Sequence, residues 1–376
     1  MKYNIWNKWD PLKVCMLGNN YAPEFFNGIQ DKVGDPLKRI CEETLEDLQG
    51  YKETLEQFGV EVIQPEMDPN ERFLDNQYVY PRGPLQPRDY QLVLGNKCFS
   101  NSGDHPAIYK KLSEYSSVSE PTFKQPFFSN KSHYDNMRGD SWPSFDDYLD
   151  NCANKEYFEQ GIWEDLLDKS DGKWLSSACC FMIGTKLYIG VTDDVLENPP
   201  EYNCPELERV LETFDVNFLP LEGHADGNFH PIKPGAILSL HDVQTYSKTF
   251  PGWDVCYLPE QTWSSVNSFI KLKDQNKGKW WLAGEEDNAE FTHFVETWLS
   301  DWVGYVEETV FDVNVIMLDA NHCCVSNSNN EQVNAFLKKH KVEPVYVPWR
   351  HRFFWDGGLH CITLDLYREG TQKDYF

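Results

Sequence analysis

The sequence predicts an α/β fold in which one small unit recurs: two strands, a helix and a third strand, packed radially into a propeller-like single domain spanning residues 1–376. Three observations predict it. Short apolar pieces that turn on themselves recur along the chain, amphipathic segments follow them, and each amphipathic segment leads into a further short apolar run. The whole pattern returns roughly every 60 to 90 residues. A unit of that size cannot hide its own apolar face, so it must stack against copies of itself. A doubly wound sheet is the alternative. It is the weaker reading because no glycine-rich phosphate loop follows any strand; Gly223-His224-Ala225-Asp226-Gly227 comes nearest and lacks the spacing.

Taken in order, the first helix is expected from Pro36 to Phe58, on the period of Ile40, Leu45, Leu48 and Leu55. Gly59 is its stop, and Val60-Glu61-Val62-Ile63 is the strand behind it. Gln91 to Phe99 reads as a hairpin closed by Gly95-Asn96, and Cys180 to Gly190 as one closed by Gly184-Thr185. Pro205 to Phe214 is amphipathic and precedes the strand Val216 to Pro220. Gly235 to Leu240, then Asp242 to Phe250, precede Val255 to Pro259; Val315 to Val325, then Asn330 to His340, precede Val342 to Pro348. Two regions do not fit the repeat. Residues 100–175 carry the acidic cluster Asp140, Asp146, Asp147 and Asp150, and residues 260–310 carry Trp263, Trp280, Trp281, Trp298 and Trp302; both are expected to be insertions serving as lids, helical elaborations or contact surfaces.

Composition narrows the function classes. A content of 40% apolar and 15% aromatic residues suffices for a sizeable core. No apolar run approaches membrane-spanning length, and Met1 to Asn7 contain no signal-peptide core, so a cytoplasmic protein is expected. Eleven cysteines without a CxxC pair are expected to be reduced thiols. The net charge of −26 repels phosphate backbones and anionic lipid, which argues against nucleic-acid and membrane partners. It would attract a small cation, although such a charge also serves solubility alone.

The stretch richest in chemistry is Val347-Pro348-Trp349-Arg350-His351-Arg352-Phe353-Phe354-Trp355-Asp356-Gly357-Gly358-Leu359-His360-Cys361. A strand reading out to Pro348 is followed by an aromatic, cationic loop. Two glycines then permit close backbone approach, and Cys361 heads a new alternating run. Cys361 is a candidate nucleophile; a small core hydrophobe is the competing reading. After the strand Val216 to Leu219 come His224 and Asp226, an HxD pair that an extended segment would turn to one side. The pair also suits a metal, but third and fourth ligands at workable spacing are absent, so no metal is expected. In Gln86-Pro87-Arg88-Asp89-Tyr90, Asp89 offers a carboxylate that Arg88 can pair with, or simply a turn residue. Two carboxylates in one pocket suit a planar cation with several N–H donors, which describes guanidinium better than ammonium.

On these motifs the chain resembles the amidinotransferases of the guanidino-group-modifying (pentein) superfamily, which contains the glycine and inosamine-phosphate amidinotransferases and, more distantly, the arginine deiminases. The resemblance rests on Trp9-Asp10-Pro11-Leu12 with Leu17-Gly18, Pro87-Arg88-Asp89 with Leu94-Gly95-Asn96, His224-Ala225-Asp226 with Phe229 and Pro234-Gly235, Met317-Leu318-Asp319, and Gly357-Gly358-Leu359-His360-Cys361 with Arg368-Glu369-Gly370-Thr371. It implies a five-bladed α/β propeller of ββαβ repeats with pseudo-fivefold symmetry. It also implies amidino transfer from a guanidino donor, L-arginine, to a small amine through an amidino-cysteine, without organic cofactor or metal. Cys361 would attack the guanidinium carbon, His224 would move protons, and Asp226 and Asp89 would hold the guanidinium. Arg88, Asp312, Gly358 and Ser176 complete the expected substrate-side set. The resemblance allows a homodimer, but no stretch identifies a self-complementary face.

Three departures from the family pattern matter. The turn Leu175-Ser176-Ser177-Ala178-Cys179 lacks the acid that relatives carry there. Leu240-His241-Asp242-Val243 stands where relatives carry an arginine that clamps a substrate carboxylate. The insertion over about 260–310 is longer than in relatives. A guanidine hydrolase of the deiminase or dihydrolase type, or a catalytically altered guanidine-binding homologue, is the alternative that these departures keep open.

Overall fold

The computed structural model of the protein describes residues 3–73, 82–100, 105–119, 175–191, 204–221, 224–240, 246–258, 281–299, 302–303 and 310–376. The acidic cluster Asp140, Asp146, Asp147 and Asp150, the tryptophans Trp263 and Trp280, and His241, Asp242 and Val243 lie outside the described residues. Trp281 and Trp302 lie inside them and are core residues.

Strand β1 (Leu12–Leu17) leads through helix α1 (Asp31–Gln57) to β2 (Glu61–Ile63), which runs parallel to it. A helical turn, α2 (Pro87–Tyr90), opens the antiparallel hairpin of β3 (Gln91–Leu94) and β4 (Lys97–Ser100). Helix α3 (Pro106–Tyr115) returns the chain to a parallel bridge between Ser119 and Phe99. The next unit is fuller: β5 (Cys180–Ile183) and β6 (Lys186–Val191) pair antiparallel, α4 (Pro205–Leu211) crosses over, and β7 (Asp215–Pro220) lies parallel to β6. β8 (Phe229–Lys233), β9 (Ala236–Leu240), α5 (Tyr246–Thr249) and β10 (Asp254–Leu258) repeat the same order. Beyond α6 (Ala289–Trp298) and α7 (Val310–Val313), it recurs in β11 (Ile316–Asp319), β12 (His322–Val325), α8 (Glu331–Lys339) and β13 (Glu343–Tyr346). After a last helical turn, α9 (Arg352–Trp355), strand β14 (Thr363–Arg368) pairs antiparallel with β1 and supplies the strand the first unit lacks.

The described strands therefore form five separate sheets, four of three strands and one of two. Three of them begin with an antiparallel pair to which a crossover adds a parallel neighbour, because a parallel partner cannot be reached by a tight turn; the β3–β4 sheet has only the Phe99–Ser119 bridge in that place, and the first sheet takes its antiparallel strand from β14. Hairpin closure is local chemistry. Gly95 and Gly184 sit at φ 54° and 64°, where side chains with a Cβ are strained, and a Cβ on Gly184 would also meet the Lys373 carbonyl oxygen at 1.7 Å.

Two elements differ from the sequence expectation. α1 starts at Asp31, so Pro36 lies inside the helix rather than at its head. Pro36 has no N–H for the Lys32 carbonyl four residues earlier, and that carbonyl instead accepts from the Asn288 side-chain amide at 2.7 Å. The expected loop before the cysteine contains α9, and Cys361 stands in the turn ahead of β14 rather than on the strand. β14 is buried at five of its six positions, on both faces, so its burial does not alternate.

The inward face of α1 (Val33, Leu37, Ile40, Leu48, Tyr51, Leu55) packs into an aromatic cluster of Tyr21, Phe25, Phe26, Phe73, Trp302 and Trp355. Each such side chain contributes about 1.5–3 kcal/mol on burial. A second kind of interior lies beneath the site. Asp365 Oδ1 accepts from Arg88 Nη2 at 2.8 Å, its Oδ2 accepts from Arg368 Nε at 2.8 Å, and Lys8 Nζ is 3.6 Å from Oδ2. Burial alone would raise the Asp365 carboxyl, but Arg368, Lys8 and Arg88 together hold it well below the usual carboxylate range. Burial pulls Lys8 down to about 7. No helix among the described residues is long and apolar enough to cross a membrane.

Candidate active site

The turn that presents Cys361 is held from outside. Gln86 Nε2 donates to the carbonyls of Trp355 at 2.7 Å and Asp356 at 2.8 Å, while the Trp355 indole donates to Thr44 Oγ1 on α1 at 2.7 Å. Asp356 takes the left-handed conformation at φ 49°, which ends α9 and redirects the chain. Gly357 follows because a Cβ there would meet Gln86 Nε2 at 2.2 Å. Backbone bonds from Ile362 N–H to the Gly358 carbonyl and from Thr363 N–H to the His360 carbonyl, each 3.2 Å, then close the turn around Cys361.

Around the buried sulfur stand three groups. The Cys361 thiol donates to Asp226 Oδ2 at 3.6 Å, and Asn314 Nδ2 donates to Sγ at 3.1 Å. Asp226 Oδ2 also accepts from His360 Nδ1 at 2.7 Å. Burial keeps His360 neutral, with its pKa well below the usual imidazole value, so its ring proton must sit on Nδ1 to face a carboxylate.

The HxD pair is arranged otherwise than an extended segment would have it. Ala225–Gly227 form a 3-10 turn, with Asp226 N–H donating to the Ala178 carbonyl at 3.1 Å. Asp226 is consequently buried, whereas the His224 side chain is 45% exposed. His224 Nδ1 lies 3.7 Å from Asp89 Oδ1 on α2, whose side chain is 13% exposed.

The electrostatics follow from taking these acids out of water. Burial pushes Asp89 up to about 6; the Asp226 and Asp356 carboxylates add to the rise, and His224 and Arg82 oppose it. Burial raises Asp226 as well, against His224 and Arg88. Burial, then Asp226 and Asp89, put the Cys361 thiol well above its ordinary value, so the resting sulfur is a thiol. Asp226 Oδ1 and Asp89 Oδ1 are buried without a hydrogen-bond partner among the described residues. Such oxygens are acceptors waiting for N–H donors.

The other sequence candidates stand as follows. Arg88 is fully buried, with Nη2 on Asp365 and Nε donating to the His360 carbonyl at 2.6 Å. It thus braces the Cys361 turn from below. Asp312 Oδ2 accepts from Asn330 Nδ2 at 2.6 Å and Asn327 Nδ2 at 3.2 Å, and Asn330 caps α8 through Val333 N–H. Gly358 abuts Asn314, where a Cβ would meet Asn314 Oδ1 at 2.6 Å. Ser176 is buried, and its hydroxyl donates to Cys179 Sγ at 3.6 Å. Cys179 is half-buried, and burial, together with Asp226 and Asp89, pushes its thiol up to about 11. No group of three or more His, Cys, Asp or Glu side chains among the described residues could hold a metal ion.

Residue-by-residue reading misses Asn314, Gln86, Cys179 and the side-chain role of His360. The sequence holds one signal for Asn314, a lone amide at the head of the apolar run Val315-Ile316-Met317-Leu318.

Searched against family models, the chain matches none. Among curated proteins, the mitochondrial glycine amidinotransferase of Xenopus tropicalis is 27% identical over 158 residues, covering 41% of this chain and 28% of that protein. The mitochondrial glycine amidinotransferase of Danio rerio is 21% identical over 407 aligned residues, 98% of this chain and 84% of that protein. The chain is similar to the amidinotransferases. The first of these matches spans little more than a quarter of that relative's length. Among solved structures, SxtG, an amidinotransferase from Microseira wollei in the saxitoxin biosynthetic pathway, superposes with a TM-score of 0.61 at 18% identity over 100% of this chain and 99% of its own. The inosamine-phosphate amidinotransferase StrB1 from Streptomyces griseus superposes with 0.60 at 17% identity, covering 99% of each chain. At these identities the likeness is one of fold.

Proposed function

We propose that the protein is an amidinotransferase that moves an amidino group from a guanidino donor, L-arginine, to a small amine through a covalent intermediate on Cys361. One observation carries the reading: the Cys361 thiol is 3.6 Å from the buried Asp226 carboxylate, Asp226 and Asp89 each keep an oxygen without a hydrogen-bond partner among the described residues, and the His224 imidazole lies 3.7 Å from Asp89. A guanidinium supplies N–H donors to those oxygens and a positive charge between the two acids.

Guanidinium binding between Asp89 and Asp226 offsets the two negative charges that add to burial in keeping Cys361 protonated. The thiol proton passes to His224, and the thiolate attacks the guanidinium carbon. His224 returns the proton to the departing nitrogen, the carbon–nitrogen bond breaks, and ornithine leaves the amidino group on sulfur. An amine then attacks the same carbon and gives its proton to His224; the carbon–sulfur bond breaks, and His224 passes that proton to the departing sulfur, which restores the Cys361 thiol. His360 holds the Asp226 carboxylate in place throughout. The half-exposed position of His224 suits a group that must meet two different amines.

We also infer that the five sheets close around one axis as a five-bladed propeller in one domain. The pairing of β14 with β1 supports this, since it fastens the last segment of chain to the first unit.

Incubation with L-arginine, with and without candidate amines, tests the activity. Ornithine appearing only when an amine is present is the expected result; citrulline or ammonia forming without an amine would assign hydrolysis instead. Cys361→Ala is expected to abolish turnover while leaving the fold intact, and retained turnover in that variant would end the proposal.

A further inference from the structure

Asn314 stands between α7 and β11, outside every motif that the sequence singles out, yet its amide is fixed at both ends. Oδ1 accepts from the backbone N–H of His360 at 2.9 Å and of Cys361 at 3.1 Å. Two N–H donors on one amide atom require that atom to be the oxygen. The nitrogen is therefore committed to its own acceptors: the Asp226 carbonyl at 3.2 Å and Cys361 Sγ at 3.1 Å. Room for the amide comes from Gly358, where a Cβ would meet Asn314 Oδ1 at 2.6 Å and its Cβ at 2.8 Å. One side chain thus ties the head of β11 to the turn of Asp226 and the turn of Cys361.

We propose that Asn314 is the positioning residue that stabilises the Cys361 thiolate as it forms and aims the sulfur at the substrate carbon. The inference rests on Cys361 being the nucleophile of the proposed transfer. The charged and titratable groups facing the sulfur are Asp226 and Asp89, with His224 beyond Asp89 and His360 behind Asp226. Both carboxylates disfavour the anion. Against them stand the Asn314 amide and the Gly358 backbone N–H, each of which lowers the thiol pKa. A donor already oriented by two backbone bonds stabilises the developing negative charge without reorganising when it forms.

Two variants test this. Asn314→Asp keeps an oxygen for both backbone N–H groups but adds charge; Asn314→Ala adds none but removes the acceptor. The rate of Cys361 alkylation by iodoacetamide, followed by mass spectrometry against pH, reads the thiol directly and needs no turnover. Both variants are expected to move its inflection upward by one unit or more. Both should lower kcat at neutral pH about 10- to 100-fold, with KM for the guanidino donor within about threefold because Asp89 and Asp226 still hold it. Part of the kcat loss should return at higher pH. A merely structural role would lower thermal stability and leave the alkylation profile of the folded protein unchanged, which overturns the proposal. A shift in Asn314→Asp alone also overturns it, since charge without donor loss then explains the effect; if Asn314→Ala does not fold, Asn314→Leu replaces it as the neutral variant. An upward shift in a protein that transfers no amidino group leaves the donor role standing and removes the transfer reading. Active wild type with an unshifted Asn314→Ala thiol does the reverse.

Discussion

Asp89 is kept in a state that water would not give it. Its carboxyl is pushed up to about 6 from an ordinary 3.8, so between those values the folded chain binds more protons than the unfolded one. Stability contributed by this group is complete below about pH 4 and is lost as pH rises through about 6, at a total on the order of 2–3 kcal/mol. Asp89→Asn is therefore expected to stabilise the ligand-free protein and to do so more at pH 8 than at pH 5, by about 1 kcal/mol in chemical denaturation. Turnover should fall at the same time. Equal stabilisation at both pH values would refute the account of Asp89. At this scale the residue types were legible from sequence: a thiol, an imidazole and two acids, each in a recognisable motif. Their partners were not, because the Asn314 contact to Cys361 spans 47 residues and the His360 contact to Asp226 spans 134. Arg88 shows the same limit from the other side, since its motif suggests substrate but its guanidinium is bonded to Asp365 and the His360 carbonyl.

At the scale of elements, α1 shows where periodicity stops being informative. The apolar period fixes the buried face, and Gly59 marks the end at φ 76°, but a proline reads as a helix start and conceals the turn ahead of it. Asn288 repairs that turn from far along the chain. Its amide nitrogen serves the Lys32 carbonyl, and its oxygen accepts from Phe291 N–H at 3.0 Å, capping α6. Asn288→Ala is expected to cost about 1–3 kcal/mol in urea denaturation. In a Pro36→Ala background the restored N–H satisfies Lys32, so the same substitution should cost less by about 0.5–1.5 kcal/mol, while the cap contribution remains. Strict additivity of the two substitutions would contradict this view of α1. The third strand of the second unit was likewise hidden, because it is reduced to the Ser119–Phe99 bridge and no apolar run announces it.

Over the whole molecule, repetition was the most readable feature. Four hairpins and four helix-to-strand segments stood out in the sequence, and three of the five sheets follow the order of strand, strand, crossover and strand along the chain. What repetition could not reveal is how the ends meet, since β14 completes the first sheet across the entire length of the chain. That junction also holds the proposed nucleophile: Cys361 is fixed two residues before β14, and Asp365 within β14 binds the arginine that braces the Cys361 turn. The central claim is that Cys361 takes the amidino group covalently. Mixing the protein with L-arginine in the absence of an amine, quenching in acid and measuring intact and peptide masses tests it most directly. The account predicts one amidino group on the peptide containing Cys361, lost on addition of an acceptor amine and absent in Cys361→Ala; unmodified Cys361 in a preparation that turns over, or an adduct surviving in Cys361→Ala, would contradict it.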